Sequence, residues 1–112
     1  MSEAIEKRLH ELRQTAAEYA TAYAHKEYLD EFKKSKLALL MREAEAQGFS
    51  TAAAQEREAR AHPEYIQLLE GLKVATELSE RLRWQLRIAE IGASLYQTKQ
   101  ADQRAERRGY GA

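Results

Sequence analysis

The chain has 112 residues, of which 44% are hydrophobic and 32% charged, and its 18 basic side chains balance its 18 acidic ones. It has no Cys, which excludes disulfides and thiolate chemistry, and its three His residues show no metal-ligand spacing, so we expect no metal or other cofactor. No apolar run approaches the roughly 18 to 20 residues that cross a bilayer, and the first residues lack the apolar core of a signal peptide. We therefore expect a cytoplasmic protein that makes no membrane contact.

The composition predicts a single all-α domain. One Pro, five Gly and an abundance of strong helix formers are typical of long helices or coiled coil. Two long helices bury only a thin seam between them, so we also expect a partner chain, and a homo-oligomer is the simplest form of one.

The first helix is predicted over about residues 2–46. Its apolar residues step by three and four up to Tyr23, break at Lys26 and resume at Leu29, which predicts either a kink or a change of packing partner near Lys26. Gly48 then ends the helix, because a C-cap position favours the left-handed conformation that Gly adopts easily.

A hinge is predicted over residues 48–62. Ser50 or Thr51 can cap a short helix at about residues 52–61, and Pro63 disfavours helix at His62 while suiting the first position of the next helix. The hinge should reverse the chain, giving a long antiparallel helical hairpin with a short connecting helix.

The last helix is predicted over about residues 63–104, followed by a flexible basic tail at residues 105–112. It is coiled-coil-like, since one line of residues at alternating spacings of three and four has heptad periodicity. That line is Leu72, Ala75, Ser79, Leu82, Leu86, Ala89, Ala93 and Tyr96. A second apolar line, Trp84, Ile88, Ile91 and Leu95, lies beside it. Two apolar lines indicate two helical neighbours, one of them from another subunit, so we assign both lines, apart from Ala75 and Ser79, to an oligomer interface.

Charge is distributed unevenly along the chain. Residues 1–49 hold eight basic and nine acidic side chains, residues 50–80 hold three and six, and residues 81–112 hold seven and three. Such asymmetry can support head-to-tail assembly or a polyanion site, although a charged helical surface is often only a solvated face.

Two basic clusters are candidate contacts to single-stranded DNA. The first is Lys33, Lys34 and Lys36, with Arg42 nearby; on a helix Lys33 and Lys36 share a face and can follow successive phosphates. The second is Arg81, Arg83 and Arg87 around the only Trp, Trp84, because bases stack on aromatic rings while Arg binds the backbone. The alternatives are surface ion pairs with neighbouring acids, and Trp84 as an interface residue.

The order of these parts resembles that of the UvsY recombination mediators of T-even phages. The resemblance rests on the segment from Tyr28 to Leu40, on Gly48, on Ser50-Thr51 leading to His62-Pro63-Glu64-Tyr65, and on the long heptad helix that follows. It implies an oligomer in a bacterial host cytoplasm that binds single-stranded DNA, remodels single-strand-binding protein and loads a recombinase. Lys33, Lys34 and Lys36 would then correspond to the DNA-contacting segment, and Leu82, Leu86, Ala89, Ala93 and Tyr96 would lie in the assembly helix.

The sequence therefore supports two functions, neither of them enzymatic. No His stands in a recognisable catalytic motif, no Gly-rich phosphate loop is present, and a two-helix hairpin offers no deep pocket for a small-molecule substrate. The first function is an oligomeric DNA-binding recombination accessory. The second is a helical protein-interaction module without nucleic acid binding, such as a coiled-coil adaptor, a virion assembly factor or an inhibitor of a host protein, which the neutral net charge favours.

Overall fold

Three helices make up the chain in the computed structural model, which describes the backbone of residues 2–111 and the side chains of residues 2–109. They are α1 (Glu3–Ala46), α2 (Ala52–Ala61) and α3 (Pro63–Gly111). The two long helices run antiparallel beside each other, and α2 packs across the end where the chain reverses. The predicted all-α helical hairpin is confirmed.

The reversal starts at Gly48, where α1 is closed by a Schellman motif. Gly48 has a φ of 108°, which a residue with a Cβ rarely adopts. Its amide donates to the carbonyl of Glu45 at 3.0 Å, and the amide of Phe49 donates to the carbonyl of Ala44 at 3.1 Å. The last carbonyl groups of α1 are thereby satisfied, and the chain leaves the helix axis.

Caps at both ends of α2 complete the turn. The Thr51 hydroxyl accepts from the amide of Ala54 at 3.1 Å, so Thr51 rather than Ser50 is the N-cap. At the other end His62 is extended, with φ −65° and ψ 133°, and Pro63 begins α3 directly after it. The His62 Nδ1 accepts from the amide of Glu64 at 3.0 Å, which caps α3.

A small hydrophobic core holds the three helices together at this end of the hairpin, which we call the tip. Each helix contributes one buried residue: Leu40 from α1, Ala59 from α2 and Tyr65 from α3. Leu37 and Met41 pack against this cluster. The tip is the only place in the described chain where three helices meet, so the position of α2 depends on it.

Beyond the tip, α1 and α3 contact each other along one narrow seam. On α3 the buried or half-buried residues are spaced three and four apart, and three of them, Ala75, Ser79 and Ala89, are small. The α3 side of the seam is Tyr65, Leu68, Leu72, Ala75, Ser79, Leu82, Leu86 and Ala89. Small side chains let the two helix axes approach closely, and α1 of the same chain fills most of the heptad line.

The seam on α1 passes through Lys26 without a break. α1 is one uninterrupted helix, and Lys26 is half-buried between the seam residues Ala22 and Leu29. The predicted kink is therefore absent. A lysine is accommodated because its aliphatic stem packs while its Nζ bonds Glu27 at 3.2 Å and lies 4.9 Å from the Tyr23 ring centre. The hydrogen bond to Glu27 raises the pKa of Lys26.

Helix α3 is longer than its partner and extends past it. Lys36 of α1 contacts Glu64 of α3, and this register places Glu3 opposite about residue 97. About 14 residues of α3, from about residue 98 to Gly111, therefore have no α1 residue beside them; we call this segment the overhang. The predicted helix end at about residue 104 was wrong, because residues 105–111 continue α3. Ala112 lies outside the described residues.

The result is a rod rather than a globule. Its principal extents are 88 × 26 × 15 Å and its radius of gyration is 24.9 Å, against about 13 Å for a compact domain of this length. Nearly every residue is close to solvent in such a shape, which explains why many large apolar side chains stay exposed.

The tip core should carry a large share of the stability of the hairpin. We expect Leu40→Ala to lower the free energy of unfolding by about 2–4 kcal/mol, because Leu40 is 4% exposed and its removal leaves a cavity. The neighbouring Leu39 is 54% exposed, so Leu39→Ala should change the free energy of unfolding by less than about 0.5 kcal/mol. Urea titrations followed by circular dichroism measure both, and equal effects would contradict the assigned core.

Candidate nucleic-acid interface

The face of α3 that points away from α1 carries a continuous apolar line, which we call the outer stripe. It consists of Trp84, Ile88, Ile91 and Leu95, which are 52%, 65%, 45% and 66% exposed. Each of these residues follows a residue of the heptad line by two positions, which is about 200° around the helix. The outer stripe is therefore turned largely away from α1 and is exposed, and Ile88 at its edge also lines the groove between the two long helices.

The ten residues assigned to an oligomer interface separate into three groups. Leu72, Leu82, Leu86 and Ala89 lie in the seam, where α1 of the same chain covers them. The four residues of the outer stripe are exposed. Ala93 and Tyr96, at the end of the heptad line, are also exposed, because α1 and α3 leave a groove between them there. The second apolar line, together with Ala93 and Tyr96 of the first, is thus the part of the assigned interface available to a partner.

The three predicted arginines flank Trp84 on both sides: Arg81 and Arg87 are one turn before and after it, and Arg83 lies about 200° around α3 from Arg81. Arg83 places its guanidinium carbon 5.2 Å from the centre of the Trp84 ring, a cation–π geometry. Arg81 bonds Glu77 at 3.1 Å, Arg83 bonds Glu80 at 3.3 Å and Arg87 bonds Glu90 at 3.3 Å. These side chains are all about half exposed or more, and exposed pairs of this kind contribute little, so a phosphate can replace the carboxylate.

The three predicted lysines do not form one patch. Lys34 and Lys36 are two residues apart, about 200° around α1, so they lie on different sides of it. Lys36 reaches across the hairpin and donates to Glu64 Oε2 at 2.7 Å, whereas Lys34 bonds Glu31 of its own helix at 3.1 Å. Lys33 bonds Asp30 at 3.0 Å, and that hydrogen bond lowers the pKa of Asp30. Lys36 is thus an interhelical contact.

Arg42 stands apart from these lysines. It is exposed near the end of α1 and lies in the helical turn that leads to the tip. The predicted first cluster is therefore divided among three surfaces.

The overhang adds basic side chains that continue along α3. Lys99, Arg104, Arg107 and Arg108 are exposed on it, with Asp102 and Glu106 as the acidic residues between them. Because this segment is helical, its side chains extend the basic character of the Arg81–Arg87 region along one axis over about 40 Å.

Sequence reasoning missed the groove at the open end of the hairpin. Its volume is about 690 Å³, and its walls are almost entirely apolar. It is lined by Ala4, Ile5, Arg8, Leu9 and Leu12 of α1 and by Ile88, Ala89, Gly92, Ala93 and Tyr96 of α3. The small residues Ala89, Gly92 and Ala93 were the available signal. A Cβ on Gly92 would meet nothing within 4 Å, so close contact inside this chain does not explain that glycine.

Residues 2–111 lack two other kinds of site. Among those residues no group of three or more His, Asp or Glu side chains is arranged to hold a metal ion. None of the three helices, as far as they are described, combines the length and the apolar character that a membrane span requires.

Comparison with known proteins adds no family to this geometry. No protein-family model, no curated protein and no solved structure matches the chain.

The Lys36–Glu64 contact gives a prediction for acid stability. The hydrogen bond from Lys36 lowers the pKa of Glu64, so the ionised carboxylate stabilises the folded hairpin above the ordinary Glu pKa, and this contribution disappears as the pH falls through the lowered value. We expect Glu64→Gln to lower the melting temperature at pH 7 and to have a smaller effect at pH 2, because the contribution of the ionised carboxylate is lost as the pH falls.

Thermal melts followed by circular dichroism at both pH values test this prediction. Glu70→Gln is the matched control, because Glu70 is an exposed carboxylate on the same helix. A Glu64→Gln effect of equal size at both pH values would show that the bridge does not act through charge.

Proposed function

We propose that this chain is a non-enzymatic, self-associating DNA-binding accessory of recombination, of the phage type, that contacts single-stranded DNA through the outer face of α3. The observation that carries the proposal is the exposed Trp84 with Arg81, Arg83 and Arg87 around it. A tryptophan that belonged to a monomer core would be buried.

This combination fits the chemistry of a single strand. Every base has a face that can stack on an indole ring, and such stacking contributes about 1–3 kcal/mol per base regardless of sequence. Arginine provides the complementary contact, since its planar guanidinium pairs with phosphate oxygens. The cation–π contact with Arg83 already holds the guanidinium beside the ring, where a stacked nucleotide would present its phosphate.

The distribution of charge supports the same surface. The chain is neutral as a whole, but residues 81–112 hold seven basic and three acidic side chains. An excess of this kind on one exposed helix attracts a polyanion locally even when the net charge is zero. The outer stripe would join copies of the chain, and the resemblance to the UvsY mediators adds single-strand-binding protein and a recombinase as partners.

The second candidate is a protein-interaction module that binds no nucleic acid. It is favoured by the ion pairs of the two clusters, because six of their seven cations, all except Arg42, are placed beside a carboxylate. In this function the outer stripe binds a helix of another protein, and the charges select the partner and its register.

Binding of a labelled oligo-dT, followed by fluorescence anisotropy at low salt and at about 0.2 M salt, separates the two functions. We expect binding that weakens steeply with salt. Trp84→Ala should weaken it about 5- to 100-fold, which is the value of one stacked base, and Trp84→Phe should retain most of it. Binding that is absent at low salt would contradict the DNA function and favour the protein-interaction module.

The arginines are tested by a variant with matched charge. Replacing Arg81, Arg83 and Arg87 with Gln should reduce the slope of log affinity against log salt by about 2, since each lost phosphate contact on a single strand removes about 0.7. The control replaces Arg13, Arg57 and Arg60 with Gln, which removes the same charge from exposed positions elsewhere. Equal slopes for the two triple variants would show that binding responds only to total charge.

A further inference from the structure

We infer that the outer stripe is covered by a second copy of this chain in antiparallel orientation, so that two α3 helices pair and the DNA site spans both copies. The inference rests on the proposed self-association and gives it a partner, an orientation and a register. Three features of the chain support the antiparallel pair: the spacing of the outer stripe, the charges beside it and the overhang.

The spacing of the outer stripe is that of a helix–helix seam. Its four residues are 4, 3 and 4 positions apart, which is the repeat that keeps apolar side chains in line along a supercoiled partner. An antiparallel copy centred between Ile88 and Ile91 places Trp84 opposite Leu95 and Ile88 opposite Ile91. Each large exposed side chain thereby meets another, and no gap is left in the line.

Charge selects the antiparallel orientation. The outer stripe continues in both directions into polar and charged positions: Arg81 and Glu77 toward the tip, and Thr98 and Asp102 toward the C-terminus. A parallel copy in register would set Arg81 against Arg81 and Glu77 against Glu77, which is repulsive. The antiparallel copy sets Arg81 beside Thr98 instead.

Further from the centre, opposite charges meet in the antiparallel pair. Glu80 lies opposite Lys99, and Lys73 lies opposite Glu106. The acidic residue Glu70 lies beside Arg107 and Arg108. One like-charged pair remains, Glu77 with Asp102, and Arg81 already bonds Glu77 within its own helix. In the antiparallel pair the acidic part of α3 in one copy therefore lies beside the basic part of α3 in the other copy.

The overhang supplies the third argument. About 14 residues of α3 project beyond α1, and they lack the tertiary packing from which most helical stability in proteins comes. In the antiparallel pair the overhang of one copy lies along residues 68–81 of the other, which gives every turn of α3 a neighbour.

Pairing also completes the DNA site. A two-fold axis perpendicular to the two α3 helices puts Arg83 and Arg87 of both copies on the same side of the pair. The two Arg87 residues are then about 8 Å apart along the helix axis, so one strand can contact arginines from both copies. Trp84 packs against Leu95 of the second copy at the end of the apolar line, and the part of its ring that Leu95 leaves uncovered stays open to a base beside Arg83.

Engineered disulfides test the orientation, because the chain has no cysteine of its own. Mixing a Trp84→Cys chain with a Leu95→Cys chain and oxidising should produce the heterodisulfide. The Leu95→Cys chain alone should stay largely uncrosslinked, since the two copies of residue 95 are about 16 Å apart in the antiparallel pair, beyond disulfide reach. Efficient homodisulfides of Leu95→Cys would establish a parallel pair and overturn the inference.

Light scattering tests the pairing itself, because it measures the mass of the wild-type chain and of each variant in solution. The wild-type chain should have at least the mass of two copies. Ile88→Asp should reduce this mass to that of one copy, and its circular dichroism should remain that of a helical protein. Leu39→Asp, at an exposed apolar position of α1, should leave the mass unchanged. A monomeric wild type overturns the inference.

Oligo-dT binding by the same variants separates this inference from the proposed function. The shared site predicts at least tenfold weaker binding for Ile88→Asp. Unchanged binding by monomeric Ile88→Asp would overturn the shared site and leave the DNA function standing. A wild-type pair with the heterodisulfide but without salt-sensitive binding would establish the antiparallel pair and contradict the DNA function.

Discussion

The narrow seam between α1 and α3 is the constraint on which the rest of the molecule depends. Two helices of 44 and 49 residues can share only one line of contacts, and the small residues Ala22, Ala75 and Ser79 bring them close enough for that line to be buried. The register of this seam fixes which residues of α3 face outward. It also fixes how far α3 extends beyond its partner.

The two faces of α3 therefore have different physical roles. The inner face carries heptad residues that stabilise the hairpin, and the outer face carries equally apolar residues that contribute nothing to it while they remain in water. A sequence that keeps four large apolar side chains on such a face accepts a solubility cost. The arginines around Trp84 reduce that cost, because they place charge beside the exposed apolar side chains.

The ends of α1 and α2 and the start of α3 could be predicted from the sequence, because local chemistry determines them. Gly48, Thr51 and Pro63 act within a few residues of their own positions, so their effects follow from residue type alone. Contacts between residues far apart in the sequence could not be predicted. Glu64, which accepts a hydrogen bond from Lys36, is 28 positions away from it. That contact draws Lys36 toward α3 and away from the other lysines of the predicted cluster. The continuity of the seam at Lys26 was also missed, because a pattern based on apolar residues omits a lysine whose aliphatic chain packs in the seam.

The tip has a consequence for how the hairpin forms. Contacts near it join residues that are 28 positions apart, such as Lys36 and Glu64, whereas residues around the open groove, such as Ile5 and Tyr96, are separated by most of the chain. Closing the shorter loop costs less chain entropy, so the pairing of α1 with α3 should start at the tip and proceed turn by turn toward the open end. Amide exchange would then be slowest beside Leu40 and progressively faster toward the open end, where the groove and the overhang lie.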